Sequence, residues 1–498
     1  MLLPGQLGNC PQAAVQANRG SLVRVLPVMR GKGLKTLVLV LSVRQCRDMS
    51  DTALPVALVG DALPVPCVDG AERPCLPFDA ASASGALPQV LDAVEGFLPW
   101  YSSAECRVDY KAQASVLAYE STRLATLAFA GRGPDSDDVA VICQNATEAI
   151  DHLAVRLGLG SGDVVVTTLA EHHANLLPWW RTASCRYVEC GRDGTFEPGD
   201  VAAALDRGPA PRLLAVTGAS HVTGWLPPLG EIIAAAHHRG IPVLVDAAQL
   251  APHRPLPAEA NYLVWSGHKM YAPFGAGVLI GPRRMLAAGD QSLLGGGATS
   301  VLDPNDATWM ARQEREDPGS PNLIGAVALG AAISALQGIG WPAIIGHDRR
   351  IARLLRRGLA AIPTVRLLGP DPGTDTLPVA TFTVDGIPSA LVAARLAAED
   401  AIEVRHGCLH AHPYLSRLLG LRPAQARTSR EQARNGGRGA MPDAVRASAG
   451  INTSERDVAR LLRAVKRLVS EEPPVRYRRD PSTGDFYPAG PVPQPVSR

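Results

Sequence analysis

The sequence predicts an α/β protein in which helices cover both faces of a mostly parallel sheet, followed by a smaller α+β domain. Strands that are buried on both faces of a parallel sheet consist of near-continuous apolar residues. Such runs alternate here with Ala-rich amphipathic stretches, of which 229–240 is one predicted helix. The predicted strands of the sheet are 164–169, 212–219, 241–248, 261–267 and 275–281.

The pattern changes near residue 375. "LPVATFTVDGI" and "AIEVRHGC" have the composition of strands, and "SERDVARLLRAVKRLVS" is typical of a terminal amphipathic helix. These elements predict the smaller α+β domain, to which the first part of the large domain also contributes. The predicted division is a poorly ordered extension 1–70, a large domain 71–370, a small domain 371–472 and a Pro-rich tail 473–498.

The Arg-rich stretch 422–444 interrupts the small domain, and its composition predicts an exposed insertion. A run of charged residues of this kind usually forms a solvated loop. A contact surface for another molecule is the alternative.

Charge and cysteine content narrow the classes of function. The chain has 49 Lys and Arg against 47 Asp and Glu, so its near-neutral balance predicts neither a nucleic-acid nor a membrane partner. Its 9 cysteines are odd in number and contain no CxxC pair, which indicates neither a disulfide framework nor a zinc site. The apolar run "LVLVLSV" near the N-terminus is too short to span a bilayer, so a cytoplasmic location is expected.

A carboxylate and a lysine follow two of the predicted strands. Asp246 ends one strand and Lys269 follows the next, so both are expected at the same edge of the sheet, where ligands gather. A partly desolvated lysine becomes a usable amine nucleophile, as Schiff-base chemistry requires. A buried carboxylate suits a protonated pyridine nitrogen. Taken alone, two such residues are more often a surface lysine and a helix cap.

Five motifs in order change that interpretation: "NATEAI", "EHHANLLPW", "VDAAQ", "SGHKMYAPFGAGVL" and "VRASAGINTSERDV". Together, across roughly residues 76–470, the chain resembles the class V aminotransferase and cysteine desulfurase family of pyridoxal 5′-phosphate enzymes. The resemblance implies fold type I and pyridoxal 5′-phosphate as cofactor. It also implies that the substrate is a small amino acid or amine.

The resemblance assigns a role to each residue of the motifs. Lys269 matches the lysine that forms the internal aldimine, and Asp246 matches the partner of the pyridine nitrogen. Gln249 matches the group that contacts the phenolic oxygen of the cofactor, and His172 matches the histidine stacked on the ring face. Lys269 and His172 are therefore the expected catalytic residues.

The phosphate site has a physical reason of its own. Ala146 and Thr147 would open a helix, where unpaired N–H groups and the positive end of the helix dipole attract an anion. By resemblance, Ser266 and His268 complete this site. Thr299 would reach the phosphate of a neighbouring subunit, which implies a homodimer.

Two arginines suit a substrate carboxylate, because a guanidinium group can bind it through two hydrogen bonds. By resemblance, Arg446 is the principal carboxylate ligand and Arg405 is a second candidate. A surface salt bridge is the alternative for either residue.

The chain departs from the family pattern at the position that decides the reaction. The segment "RHGCLHAHPY" places His410 where desulfurases of this type carry a nucleophilic cysteine, and Cys408 lies two residues earlier. His221 stands where the family often has Asn. His410, predicted to line the substrate site, or His221 could act as an acid or base, although a structural role is equally open.

The sequence therefore predicts an amino acid- or amine-converting enzyme of the transaminating or carbon–sulfur and β-eliminating lyase type. A cysteine desulfurase that uses Cys408 is one alternative. A non-catalytic binding protein that retains the fold is another.

Overall fold

The computed structural model describes residues 16–17, 21–30, 34–41, 54–104, 108–287, 293–304, 306–309, 316–434 and 441–489. Its strands, in chain order, are β1 Gln16–Ala17, β2 Ser21–Arg30, β3 Leu34–Leu41, β4 Pro64–Pro66, β5 Glu72–Pro74, β6 Leu76–Phe78, β7 Asp138–Cys143, β8 Val164–Thr168, β9 Ser184–Val188, β10 Leu213–Thr217, β11 Val243–Asp246, β12 Tyr262–Ser266, β13 Gly277–Pro282, β14 Thr299–Asp303, β15 Asp306–Trp309, β16 Val365–Leu368, β17 Val379–Val384, β18 Ile402–Gly407, β19 Ala444–Ser448, β20 Tyr477–Arg479 and β21 Phe486–Pro488.

The α-helices alternate with these strands through most of the chain. They are α1 Pro88–Phe97, α2 Tyr110–Phe129, α3 Ala146–Arg156, α4 Leu177–Thr182, α5 Pro198–Asp206, α6 Leu229–His237, α7 Leu323–Ile339, α8 Trp341–Ala360, α9 Ser389–Asp400, α10 His412–Leu418, α11 Pro423–Arg434 and α12 Glu455–Ser470.

The large domain is built on a seven-stranded sheet in the order β7-β13-β12-β11-β10-β8-β9. Six strands run parallel, and β13 runs antiparallel to both of its neighbours. All residues of β8, β10, β11 and β12 are buried, as their apolar composition predicts. The predicted α/β class with a mostly parallel sheet is confirmed.

The small domain contains a five-stranded sheet in the order β16-β17-β19-β18-β6. Its edge strand β6 comes from the N-terminal part of the chain and pairs in parallel with β18. Apolar residues of α8 from Ile351 onward pack in the same core as those of β17 and α12, whereas Ile344, nearer the start of the helix, packs in the core of the large domain.

The segments predicted as a poorly ordered extension, an exposed insertion and a Pro-rich tail contain regular structure or buried contacts. Residues 54–70 lie within the expected extension, yet Leu58 is buried and the Val56 N–H donates to the Ile451 carbonyl at 3.0 Å. The insertion contains α11, and the tail forms the hairpin β20–β21, where the Tyr477 hydroxyl donates to Glu399 at 3.0 Å. Short polar or Pro-rich segments of this kind have no hydrophobic periodicity, so their sequence does not predict the contacts that they make with the rest of the molecule.

Within the described residues, no single helix is long and apolar enough to cross a membrane. The helices α7 and α8 reach that length and composition only when taken together, and they meet at 83°.

A buried ion pair joins α8 to the loop that follows β11. The fully buried Asp348 accepts a hydrogen bond from Arg254 Nη1 at 2.7 Å and lies 3.1 Å from His253 Nδ1. Burial alone would raise the pKa of Asp348, but His253 and Arg254 outweigh burial and hold it at about 2. The charged carboxylate therefore stabilises the contact between the two domains.

We expect Asp348→Asn to lower the free energy of unfolding at pH 7 by about 3–5 kcal/mol, because it removes the buried counter-charge of Arg254 and leaves only the exposed Asp375, 3.8 Å away. The difference should shrink as the pH falls from about 4 towards 2, since the lowered pKa confers stability only while the carboxylate is ionised. Chemical denaturation measures both effects.

Asp206→Asn is the matched control, because the Asp206–Arg239 pair is exposed and screened by solvent. Equal effects of the two substitutions would contradict a structural role for the buried pair.

Candidate active site

A cavity of about 250 Å³ lies where the carboxyl ends of the parallel strands meet the small domain. Thr217, Asp246 and Ser266, which end β10, β11 and β12, line one side of it. Arg405 and Arg446, from β18 and β19, line the other. The cavity therefore lies at the edge of the sheet where the sequence predicts a ligand.

Lys269 lies in a 3₁₀ turn, Gly267–Lys269, that directly follows β12. The turn is tight: a Cβ atom at Gly267 would lie 2.8 Å from the Ala276 carbonyl oxygen, so only glycine fits there without a shift. Burial lowers the pKa of Lys269 to about 8, against the attraction of Asp246, and the charge of Arg446 lowers it further. About a tenth of the Lys269 side chains are thus neutral amines at pH 7, a far larger fraction than for an ordinary lysine.

Asp246 lies on the neighbouring strand and is buried. Burial raises the pKa of its carboxyl group, whereas the Ala248 N–H, which donates to Oδ1 at 3.0 Å, and the charge of Lys269 lower it. A carboxylate in this setting is strongly stabilised by a cationic group placed against it.

His172 also lines the cavity, and its Nδ1 accepts a hydrogen bond from the Ala174 N–H at 3.0 Å. Burial lowers the pKa of His172 to about 3, with further lowering by Lys269. The imidazole is therefore neutral, and the acceptor role of Nδ1 places its proton on Nε2. A neutral ring of this kind can stack on a flat aromatic ligand.

The N-terminus of α3 faces the same cavity. Asn145 caps the helix by accepting from the Glu148 N–H at 3.0 Å, and Ser266 Oγ accepts from the Ala146 N–H at 2.8 Å. Gly277 of β13 packs so closely here that a Cβ atom would overlap the backbone of Asn145. The strand thereby fixes the helix end, whose N–H groups attract an anion.

Two other predicted phosphate ligands, Thr147 and His268, line the cavity as well. Burial and the charge of Lys269 lower the pKa of His268, so it is neutral near neutral pH. Gln249 lines the cavity too, and its Nε2 donates to the Ala81 carbonyl at 2.6 Å, which leaves one of its two amide protons available.

Thr299 is not among the residues that line this cavity within one chain. It begins β14, and its Oγ1 donates to the Gly296 carbonyl at 2.9 Å. Its predicted contact with a neighbouring subunit stays a prediction.

The two arginines differ in what they contact. Buried Arg446 donates through Nη2 to Asp79 and Ser82, at 2.8 and 2.7 Å, and through Nη1 to the His221 carbonyl at 3.0 Å. Arg405 lies directly opposite Arg446 across the β18–β19 pair and makes no hydrogen bond or ion pair within the described part of the chain. Arg405 is therefore the guanidinium more available to a substrate.

Sequence reasoning did not identify Asp79 and Ser82, which hold Arg446 in place. Both follow β6 directly, in the small-residue segment "DAASASG", and the position after an edge strand was the available signal.

Cys408 is half-buried and does not line the cavity, whereas His410 and His221 do. None of the described residues that line the cavity is a cysteine. The segment that departs from the family pattern therefore presents the imidazole of His410 to the cavity, rather than the thiol of Cys408.

The chemistry of this set of side chains fits pyridoxal 5′-phosphate. Lys269 offers an amine to an aldehyde, Asp246 a carboxylate to a pyridine nitrogen, and His172 a neutral ring to an aromatic face. The end of α3, with Ser266 and Thr147, would hold the phosphate. The fold and site together define a pyridoxal-phosphate enzyme of the mostly parallel α/β class.

Comparisons with known proteins agree with this class. Residues 77–461 match the model of the family described as aminotransferase class-V, and the chain belongs to that family, whose members depend on pyridoxal phosphate. A probable cysteine desulfurase of Halobacterium salinarum is 33% identical over 364 residues, which cover 71% of this chain and 86% of the relative. A probable cysteine desulfurase of Synechocystis is 34% identical over 303 residues, 58% of this chain and 71% of the relative.

Solved structures give the same result. The apo cysteine desulfurase of Thermococcus onnurineus has a TM-score of 0.70 and 26% identity, covering 79% of this chain and 94% of that one. The cysteine desulfurase CsdA of Escherichia coli has a TM-score of 0.66 and 27% identity over the same shares. The predicted family, fold type and cofactor are confirmed.

We expect the rate at which apo-protein binds added pyridoxal phosphate covalently to rise with pH around a midpoint of about 8, because the neutral amine of Lys269 is the nucleophile. The growth of the visible absorption band of the bound cofactor measures this rate. Asp246→Asn should move the midpoint lower, since the carboxylate attracts the lysine's positive charge.

Lys269→Ala is the control and should not develop the band at any pH. A midpoint near 10.5, the ordinary pKa of lysine, would show that the amine is not desolvated as described.

Proposed function

We propose that the protein is an enzyme that uses pyridoxal phosphate to cleave the carbon–sulfur bond of cysteine or of a closely related amino acid. The observation that carries the proposal is the cavity itself, in which an amine of lowered pKa, a buried carboxylate and an available guanidinium face one small space. The names of the relatives favour cysteine as the substrate over an amine or an amino-group acceptor.

The side chains divide the work as follows. Bound pyridoxal phosphate withdraws electrons from the bonds at the α-carbon of the substrate. Lys269, neutral in part near neutral pH, can take the proton from that carbon and return it. The Asp246 carboxylate is buried, and an ionic contact between it and the pyridine nitrogen of the cofactor would be stronger there than at the protein surface.

The substrate's carboxylate would bind Arg405. This guanidinium is exposed to the cavity and free of hydrogen bonds within the described residues, whereas Arg446 already binds Asp79 and Ser82. Arg446 lines the same cavity, although its hydrogen bonds in the described part of the chain already go to Asp79, Ser82 and the His221 carbonyl. The two residues can bind one anionic group from adjacent strands.

A cysteine desulfurase that carries sulfur on Cys408 is the second candidate, and the names of the relatives favour it. In such a reaction a protein thiolate attacks the substrate's sulfur. Cys408 would have to move into the cavity, which it does not line in this structure.

We also propose that the protein forms a homodimer. The side chains around Thr299 support this, because Val301 and Leu302 of β14 are apolar and yet 64% and 71% exposed. Sedimentation of the purified protein should give twice the mass of the chain, and a monomer would contradict the proposal.

The direct test is to incubate the protein with L-cysteine and to measure sulfide, pyruvate and alanine. We expect sulfide and pyruvate in equal amounts, because elimination across the α- and β-carbons releases both. Alanine with sulfur retained on the chain would favour the desulfurase instead.

Lys269→Ala should give none of these products. If the wild type binds the cofactor and transfers the amino group of cysteine to a keto acid without releasing sulfur, carbon–sulfur cleavage is not its reaction.

A further inference from the structure

The loop between β18 and α10 has an unusual backbone. Leu409 and His410 both have positive φ, +54° and +53°, in the left-handed region that non-glycine residues adopt only at a cost. Two consecutive residues of this kind persist only where surrounding contacts fix them, and such strain is concentrated at functional sites.

Three hydrogen bonds fix this loop. His221 Nε2 donates to the Leu409 carbonyl at 2.8 Å, and the His173 N–H donates to the His410 carbonyl at 3.0 Å. The Ala411 N–H donates to the Cys408 carbonyl at 3.0 Å, and the Leu409 side chain is buried. The backbone is thereby held by His221 and His173 from other segments and by a hydrogen bond within the loop. The His410 ring lines the cavity.

Histidine rings and cations surround the His410 ring. The rings of His172 and His173 lie 5.3 and 6.2 Å from it, centre to centre, and His412 packs against His173 at 4.8 Å. Burial lowers the pKa of His410, and the charges of Arg405, Lys269 and Arg446 lower it further. The imidazole is therefore neutral near neutral pH and can accept a proton.

We propose that His410 is a catalytic residue that takes the proton from the substrate's thiol and returns it to the departing sulfur. The inference rests on the proposed carbon–sulfur cleavage and names the group that handles the sulfur. In the first step the S–H bond breaks and an N–H bond forms, which leaves an imidazolium–thiolate pair that orients the sulfur.

In the second step the Cβ–S bond breaks and its electron pair stays on the sulfur, while the electron pair that remains at the α-carbon after Lys269 takes its proton forms the Cα–Cβ double bond. The imidazolium returns its proton, so sulfur departs as hydrosulfide and His410 is neutral again. No atom is oxidised or reduced by the chain, and no protein thiol is needed. Sulfur therefore leaves this enzyme free, and His221 and His173 act as positioning residues.

The test compares His410→Asn with His238→Asn, a matched change at an exposed histidine just beyond α6. Sulfide release from L-cysteine is measured across a pH series. We expect His410→Asn to lower kcat/KM by about 10²–10⁴-fold, the usual contribution of a general acid or base. It should also remove the part of the acid fall of wild-type kcat/KM that protonation of His410 causes, because protonated His410 can no longer accept the thiol proton, whereas a fall caused by protonation of Lys269 should remain.

His238→Asn should match the wild type, and all three proteins should show the cofactor's visible band. A His410→Asn protein with wild-type kcat/KM and an unchanged acid limb would overturn the proposal. Absence of the band from the wild type would overturn the proposed function as well, so the two failures are distinguishable.

A second readout does not depend on rates. After turnover, the intact mass of alkylated wild-type protein should show no added sulfur, whereas His410→Cys should carry one sulfur atom at that position and release less sulfide. Sulfur found on wild-type protein and lost in Cys408→Ala would overturn the proposal in favour of a protein persulfide.

Discussion

Exclusion of water from one amine and one carboxylate is the constraint on which the rest of the structure depends. Lys269 and Asp246 lie at the ends of adjacent parallel strands, and burial works against the charge of each. The apolar strands that hold them make the sheet stable, and the same strands bring both groups to one edge. A stable core and a reactive lysine thus have a common origin.

The small domain completes the site from the opposite side. Arg405 and Arg446 face each other across β18 and β19, an arrangement of like charges that is unfavourable by itself. Asp79 offsets part of this repulsion, and the two guanidinium groups together attract an anion. The buried contact of Asp348 with Arg254 keeps the sheet that carries these arginines against the large domain.

The sequence predicts the large sheet and the position of Lys269 because apolar strands and their ends have a local signature. Residues 164–168, 213–217, 243–246 and 262–266 are strands at the expected places. Local signals cannot show that Asp79 accepts a hydrogen bond from Arg446, since the two residues lie far apart in the chain. Neither can they show the left-handed backbone at Leu409 and His410, which hydrogen bonds from distant segments impose.

The N-terminal and C-terminal segments illustrate the same limit. Leu58 and Tyr477 are ordered by contacts with other parts of the molecule, although their own segments show no periodicity. Composition predicts how much surface a segment can bury, but it does not identify the surface against which the segment packs.

The central claim is that Lys269 is the amine that binds the cofactor. The most direct measurement is to reduce the holoprotein with borohydride, digest it and locate the peptide that carries the pyridoxyl group by mass. We expect a single modified residue, Lys269, in the peptide that contains "SGHKMYAPFG". Modification at another lysine, or none in protein that shows the visible band, would contradict it.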